Sequence, residues 1–195
     1  MKLILKRIDD FDMDYLKSNI SPERVRRALM FRDEKDQKRH MLGEVALRIA
    51  LKEFGHRGSF NLSREQLGKP KVDVKGFHFN ISHSGKYVVL AYSDTEIGVD
   101  IEMLRERRIS FYRDKFHPVE IEYVDSSANK LKAFYEIWTL KESYLKAIGM
   151  GLNCELNQFY IIPTKSGEYT TSLTGLEVYQ KFGPDYVISV SKLIE

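Results

Sequence analysis

The sequence predicts an α+β protein arranged as a pseudo-dimer of two similar α+β halves. The apolar run Tyr87–Ser93 is echoed by Tyr186–Ser191, about 100 residues later. The helical segment around Glu44 is echoed by the segment around Glu142 at about the same offset, and glycine follows both segments. Because this offset is close to half of the 195 residues, we predict a tandem duplication. Chance recurrence of helix-then-strand patterns is the alternative.

Helix-start and helix-stop residues mark the predicted helices. Ser21 followed by Pro22 is a favourable N-cap and first helical position. Apolar side chains recur at helical spacing up to Gly55, a residue typical of helix ends, and they predict a second helix. The predicted helices begin at Ser21 or cover Glu34–Phe54, Ser110–Phe116, Pro118–Asp125 and Lys130–Ile148.

Short runs rich in β-branched and aromatic residues predict the strands. Residues 1–9 form the first strand, and a turn is expected at Gly68-Lys69-Pro70. Two strands, Phe77–Ile81 and Lys86–Ser93, are expected to flank a loop of small polar residues at Ser82–Gly85. The remaining predicted strands are Glu96–Glu102 and the segments FYIIP, YTTSL, LEVYQKF and YVISVSKL.

Composition and charge narrow the class of protein. The formal net charge of +3 indicates neither nucleic-acid nor membrane binding by itself. The lone cysteine, Cys154, permits no intrachain disulfide, and no apolar stretch approaches the length that spans a membrane. We therefore expect a soluble, cytoplasmic monomer with no nucleic-acid or membrane partner.

A basic segment lies between Arg24 and Arg39. It carries seven arginines and lysines against three acidic residues. Such a segment either meets a phosphate or forms a solvated helix face, and charge alone favours the solvated face.

Asp100 and Glu102 are two carboxylates on one face of a predicted strand. Residues two apart on a strand share a face, so Ile97, Val99 and Ile101 point to the other face, towards the core. Neighbouring carboxylates repel unless a cation or a proton lies between them, and oxygen ligands of this kind suit Mg²⁺. A solvated edge strand is the alternative for this motif taken alone.

Glu142 and Lys146 lie four residues apart on the last predicted helix and therefore share a face. Trp138 precedes Glu142 by the same spacing, so that face combines an aromatic ring with charges. A surface ion pair, which is common and weak, is the alternative for this pair.

Three motifs in order resemble the 4′-phosphopantetheinyl transferases of the larger, surfactin-synthetase-activating (Sfp) type. They are FNISHS at 79–84, GVDIE at 98–102 and WxxKESxxKxxG at 138–149. The resemblance implies that family's pseudo-dimeric α+β fold, with an N-terminal half at 1–95, a C-terminal half at 96–195 and the active site at their interface.

The same resemblance implies an activity, holo-[acyl-carrier-protein] synthase. The family transfers the phosphopantetheine arm of coenzyme A to a serine of an apo acyl or peptidyl carrier protein and releases adenosine 3′,5′-bisphosphate. The alternatives are an inactive module that binds coenzyme A or a carrier protein, and another metal-dependent enzyme that cleaves the coenzyme A pyrophosphate.

Residue functions also follow from the resemblance. Asp100, Glu102 and Glu142 are implied to bind Mg²⁺, with Mn²⁺ as the alternative, and Lys146 is implied to act on the phosphates. Glu120 matches a glutamate proposed as the base for the carrier serine, and a metal-bound water is the other candidate base. The implied contacts to coenzyme A are Arg24, Arg27, Arg39, His40, Lys69, Ser82, His83 and Lys146. Many relatives carry a small hydroxyl residue where His40 stands.

An apolar surface for the carrier protein is expected in the second half. The aromatic residues that could form it are Phe111, Tyr112, Phe116 and Tyr123. Core positions are the alternative, and we expect at least half of these residues to be core.

Overall fold

The computed structural model describes residues 1–65, 68–106, 109–150, 154–164 and 166–194. The helices are α1 Met13–Ser18, α2 Pro22–Ala28, α3 Glu34–Phe54, α4 Pro118–Ser126 and α5 Lys130–Ala147. The strands are β1 Lys2–Arg7, β2 Leu62–Arg64, β3 Pro70–Val72, β4 His78–Ser84, β5 Tyr87–Ser93, β6 Ile97–Met103, β7 Ile161–Pro163, β8 Tyr169–Thr171, β9 Leu176–Phe182 and β10 Tyr186–Leu193. Short 3₁₀ helices lie at Ile8–Asp10, Ser110–Asp114 and Leu156–Gln158.

Two three-stranded antiparallel sheets form the framework, in the orders β1-β5-β4 and β6-β10-β9. Helix α3 packs on the first sheet and α5 on the second. The small hairpins β2–β3 and β7–β8 complete the described sheets. The α+β prediction is confirmed, and each sheet draws its strands from one half of the chain. The division between residues 95 and 96 stays a prediction.

A shared apolar core joins the two sheets face to face. Alternate residues of β5, β6 and β10 fill it: Tyr87, Val89, Ala91, Ile97, Val99, Ile101, Tyr186, Ile188 and Val190. The rings of Tyr87 and Tyr186, one from each sheet, meet edge to face with their centroids 4.6 Å apart. The prediction that Ile97, Val99 and Ile101 point to the core is confirmed.

Side chains of β4 also join that strand to β6. From Asn80 to Ser84, every second residue of β4 accepts a hydrogen bond from a backbone amide of β6. The pairs are Asn80 with Val99 (3.1 Å), Ser82 with Ile101 (3.4 Å) and Ser84 with Met103 (3.1 Å). Because side chains alternate along a strand, His83 points away from this seam.

The predicted loop at Ser82–Gly85 is wrong in extent. Ser82, His83 and Ser84 lie on β4, and the chain turns only at Gly85 and Lys86. Gly85 has φ of +54°, which glycine adopts at little cost. The strand extends because these polar side chains find partners on β6, a contact that local sequence does not reveal.

The remaining differences concern short elements. Helix α3 matches its predicted bounds, and α5 ends one residue earlier than predicted. Helix α1 was not expected, because six residues are too few to show a period, although Asp12 caps it by accepting a bond from the Tyr15 amide (2.6 Å). The predicted helix Ser110–Phe116 is a 3₁₀ helix of five residues.

The four aromatic residues considered for a carrier surface take part in one core cluster. Tyr112 and Phe116 are buried in it, while Phe111 and Tyr123 are partly buried against it. This matches the expectation that at least half are core. In the described ranges, no helix is long and apolar enough to cross a membrane.

Candidate active site

Helix α5 approaches β6 unusually closely at Gly98. A Cβ atom at this position would lie 2.0 Å from the carbonyl oxygen of Ser143 and 2.3 Å from the amide nitrogen of Ala147. Both of those atoms belong to the helix backbone, so a side chain at residue 98 would force the helix away. The missing side chain therefore lets residues of α5 reach the acidic face of β6.

Lys146 of α5 reaches Asp100 of β6. Its Nζ donates to Asp100 Oδ1 (2.6 Å) and to Ser82 Oγ (2.9 Å), while Ser82 Oγ donates to the same carboxylate oxygen (2.9 Å). Next along the strand, Ser84 Oγ donates to Glu102 Oε2 (2.7 Å). Residues from β4, β6 and α5 thus meet in one polar cluster.

Two carboxylate oxygens in this cluster lack a partner. Among the described residues, Asp100 Oδ2 and Glu142 Oε1 are buried without a hydrogen bond. Burial raises the pKa of Glu142, and the negative charges of Asp100 and Glu102 raise it further against the opposing effect of Lys146. A cation or a proton here would relieve both the repulsion and the missing contacts.

The donor set fits a hard cation, because carboxylate oxygens are the ligands that Mg²⁺ takes. Within the described part of the chain, however, no three His, Cys, Asp or Glu residues form a group that could hold a metal ion. The structure instead brings the ammonium of Lys146 onto Asp100. The metal assignment of Asp100, Glu102 and Glu142 therefore stays a prediction, supported by the two unpartnered oxygens.

A cavity of about 360 Å³ opens between α2, α3, β2 and β4. We call it the arginine cavity, because four arginines and two histidines line it together with other residues. These six are Arg24, Arg27, Arg39, Arg64, His40 and His83. Within the described chain, two buried nitrogens in this group, Arg24 Nε and His40 Nε2, have no hydrogen-bond partner. The unpartnered Arg24 Nε–H and the four guanidinium groups suit an anion such as phosphate.

The two histidines of the cavity have lowered pKa values. Burial lowers the pKa of His40 to about 4, and the charges of Arg24, Arg64 and Arg27 contribute. Burial also lowers the pKa of His83, helped by Arg39 and Lys146. His83 lines the arginine cavity from β4, while its neighbours Ser82 and Ser84, on the other face of the strand, bond to the carboxylates of the cluster.

Helix α2 and the start of α3 place the arginines. Ser21 caps α2, and its amide in turn donates to Glu44 Oε1 (3.0 Å), which fixes α2 against α3. Arg39 is held by Asp36 and by a bond to the Gly85 carbonyl (2.5 Å). The basic segment is therefore neither wholly solvated nor wholly in the cavity.

Two residues of this region were missed from the sequence. Arg64 lines the cavity from the short strand β2, where three residues give no usable pattern. Glu44 was noted only as part of the internal repeat, yet its nearly buried carboxylate binds Ser21 and Arg48. The available sequence signal was Arg48, four residues later on the same predicted helix.

Lys69 is not among the residues that line the arginine cavity. Its Nζ donates to Glu96 Oε2 (2.5 Å) and to the carbonyl of Ala147 (2.7 Å). The side chain is 8% exposed. The predicted nucleotide contact of Lys69 stays a prediction, and in this structure the ammonium binds groups of the protein.

Glu120 is fully buried in an ion pair with Lys141. Its Oε1 accepts from Lys141 Nζ (2.7 Å) and from the Ile161 amide (3.0 Å), and its Oε2 accepts from the His117 amide (2.9 Å). Burial raises the pKa of Glu120 despite the nearby ammonium and lowers the pKa of Lys141. The pairing with Lys141 was not predicted, because the two residues lie 21 positions apart on different helices.

Comparison with known proteins gives two family matches. A family model described as the 4′-phosphopantetheinyl transferase superfamily matches residues 96–191, and one for the N-terminal region of 4′-phosphopantetheinyl transferases matches residues 10–95.

Individual relatives agree with these matches. The chain is 37% identical over 158 residues to the 4′-phosphopantetheinyl transferase gsp of Aneurinibacillus migulanus, covering 79% of this chain and 66% of that protein. It is 31% identical over 163 residues to the 4′-phosphopantetheinyl transferase Sfp of Bacillus subtilis, covering 80% of this chain and 72% of that protein. The matched region thus spans about two thirds of the length of the first relative.

Among solved structures, the holo-[acyl-carrier-protein] synthase of Thermotoga maritima aligns with a TM-score of 0.46 and 15% identity, covering 52% of this chain and 64% of that one.

Proposed function

The chain belongs to the 4′-phosphopantetheinyl transferase superfamily, and from this premise we propose that it transfers the 4′-phosphopantetheine arm of coenzyme A to a serine of an apo acyl or peptidyl carrier protein. One observation carries the proposal. A cavity lined by four arginines lies on one face of β4 at His83, and the carboxylate–lysine cluster meets Ser82 and Ser84 on the other face. Coenzyme A carries its 3′-phosphate and its 5′-pyrophosphate on one ribose, so it presents two neighbouring anionic groups to two neighbouring sites.

The proposed reaction forms one phosphoester bond and breaks one phosphoanhydride bond. The carrier serine oxygen attacks the phosphorus of the phosphopantetheine phosphate, adenosine 3′,5′-bisphosphate leaves, and the serine proton passes to a base. Negative charge grows on the bridging and terminal oxygens, so fixed positive charge there speeds the reaction. Lys146 supplies that charge at the pyrophosphate. Ser82 and His83 of β4 are the other proposed contacts to the pyrophosphate.

The remaining contacts are divided between the nucleotide and the cation. Arg24, Arg27, Arg39 and His40 hold the 3′-phosphate, since arginine binds phosphate through paired donors. Asp100, Glu102 and Glu142 would hold Mg²⁺, with Mn²⁺ as the alternative. When bound, the cation neutralises charge on the pyrophosphate. A monomeric state and a cytoplasmic location stay predictions.

Intact-protein mass spectrometry tests the function. An apo acyl carrier protein incubated with this protein, coenzyme A and Mg²⁺ should gain about 340 Da, and EDTA should prevent the gain. Lys146→Ala should lower the rate strongly, because no other ammonium bonds to Asp100 among the described residues. Coenzyme A binding without any gain on a panel of apo carriers would favour the binding module. Release of adenosine 3′,5′-bisphosphate without carrier modification would favour a pyrophosphate-cleaving enzyme.

Glu120 is the candidate base, and Glu120→Gln tests it. Its raised pKa suits a base, whereas both of its oxygens are already hydrogen-bonded. The single variant should lose roughly 3 kcal/mol of stability, because it leaves the ammonium of Lys141 buried and unpaired. We expect Glu120→Gln/Lys141→Met to recover much of that stability but to remain slow at saturating carrier protein. Near-normal turnover in the double variant would remove Glu120 from the chemistry.

The neutral state of His40 predicts a dependence of stability on pH. Its pKa is about 4 in the folded protein against an ordinary 6.5, so the unfolded chain takes up the proton first as pH falls. The stability that this residue contributes is therefore complete above pH ~6.5 and is lost towards pH ~4. His40→Gln should lose less thermal stability than the wild type between pH ~6.5 and ~4.5. His56→Gln, outside the cavity, is the control, and equal losses in all three proteins would contradict the assignment.

A further inference from the structure

A buried lysine connects the end of α5 to the start of β6. Lys69 Nζ donates to Glu96 Oε2 (2.5 Å) and to the Ala147 carbonyl (2.7 Å). The other oxygen of Glu96 meets His78 Nδ1 (2.8 Å). With 8% of its side chain exposed, Lys69 is almost withdrawn from solvent.

Both partners of Lys69 adjoin elements of the candidate active site. Ala147 is the last residue of α5 and follows Lys146, and its carbonyl lies at a helix end, where such groups lack intrahelical partners. Glu96 precedes β6, the strand that carries Asp100. Lys69 therefore bonds to the last residue of α5 and to the residue that precedes β6. The distance between α5 and β6 sets the contact of Lys146 with Asp100.

The aliphatic part of Lys69 packs at the same place. A Cβ atom built on Gly149 would lie 3.6 Å from Lys69 Cδ, so the side chain runs alongside the turn that ends α5. Gly149 has φ of +72°, typical of a glycine just past a helix. The lysine thus supports the helix end through both its ammonium and its methylene groups.

We propose that Lys69 is a positioning residue, which holds the end of α5 against β6 so that Lys146 stays on Asp100 and Ser82. The proposal rests on the proposed function. It differs from a nucleotide contact, because the ammonium is used within the protein. Small displacements of a catalytic group lower the rate much more than they weaken substrate binding, so the effect belongs in kcat.

Lys69→Met tests this proposal, with Lys71→Met as the matched control. Lys71 lies two residues further along the chain, on β3, but its side chain is 61% exposed and its nearest carboxylate oxygen, on Glu65, is 3.9 Å away. We expect Lys69→Met to lower kcat about 10-fold and to change KM for coenzyme A less than about 2-fold. Hydrogen exchange of the amides in residues 144–150 should accelerate in Lys69→Met alone. Lys69→Arg, which keeps a cation and several donors, should recover most of the rate.

Three results for these variants would overturn the proposal. A large increase in KM for coenzyme A with unchanged kcat would make Lys69 a substrate contact. A lower unfolding temperature with unchanged kcat and unchanged exchange at 144–150 would leave it a purely structural residue. If Lys69→Met does not fold, Glu96→Gln removes the same ion pair, and an unchanged kcat in that variant would contradict the proposal. Failure of the proposed function is distinguishable, since the wild type would then modify no carrier.

Discussion

Replacing Asp100 by asparagine should abolish carrier-protein modification while leaving the fold intact. The side chain keeps its shape, so the loss would arise from its charge. We expect turnover to fall by roughly 10³-fold, the upper range for removing one electrostatic group from an active site. Mass spectrometry of the carrier protein measures the rate, and circular dichroism and thermal unfolding measure the fold.

The contacts of Asp100 explain the size of this effect. One of its oxygens accepts from both Lys146 and Ser82. The other, Oδ2, is buried without a partner in the described structure, like Glu142 Oε1. An amide would weaken the hold on the ammonium and would present a donor where a cation is expected. Both the position of Lys146 and the proposed metal site would suffer.

Asp94→Asn is the matched control for this prediction. Asp94 lies shortly before β6, but its side chain is 76% exposed and pairs with Lys192 at the surface (3.2 Å). Exposed ion pairs contribute little, so we expect unchanged turnover. Normal turnover in Asp100→Asn would overturn the assignment of Asp100 to the phosphate and metal site.

Gly98→Ala should destabilise the protein severely. The new methyl carbon would lie 2.0 Å from one backbone atom of α5 and 2.3 Å from another. Backbone atoms inside a packed helix cannot rotate away, so helix and strand must separate. We expect the free energy of unfolding to fall by about 3 kcal/mol or more, measured by urea denaturation. Any folded fraction should have low activity, because the separation carries Lys146 away from Asp100.

Gly43→Ala provides the matched control. Like Gly98, Gly43 is buried, but it lies in the helix α3. A Cβ atom there would meet Ile81 at an ordinary 3.8 Å. Alanine favours the helix interior over glycine by up to about 1 kcal/mol, so stability should be unchanged or higher. Equal destabilisation of the two variants would show that Gly98 does not set the distance between α5 and β6.

The two faces of β6 and the bounds of α3 could be predicted from the periodicity of apolar side chains in the sequence. A strand with period two separates Ile97, Val99 and Ile101 from the two acids, and the core between the sheets contains those three residues. Helical periodicity and Gly55 gave the bounds of α3. These features succeed because each is encoded by a few neighbouring residues.

Some members of the candidate site could be predicted from the sequence. Asp100 was predicted as a metal ligand, and Ser82 and Lys146 as phosphate contacts. The three side chains meet in one cluster, and their functions stay predictions. The motif could not reveal that β4 extends through Ser84, since that depends on the seam with β6.

By itself, the sequence determined the α+β class, the long helices, the acidic strand face and, through three motifs, the resemblance to a family. The tertiary structure alone decided that Arg64 enters the arginine cavity, that Lys141 pairs with Glu120, and that Lys69 binds the end of α5. The physical reason is the range of the interactions. Periodicity and capping act within one helix or strand, whereas buried ion pairs join segments far apart in the chain and form only when the sheets and helices pack.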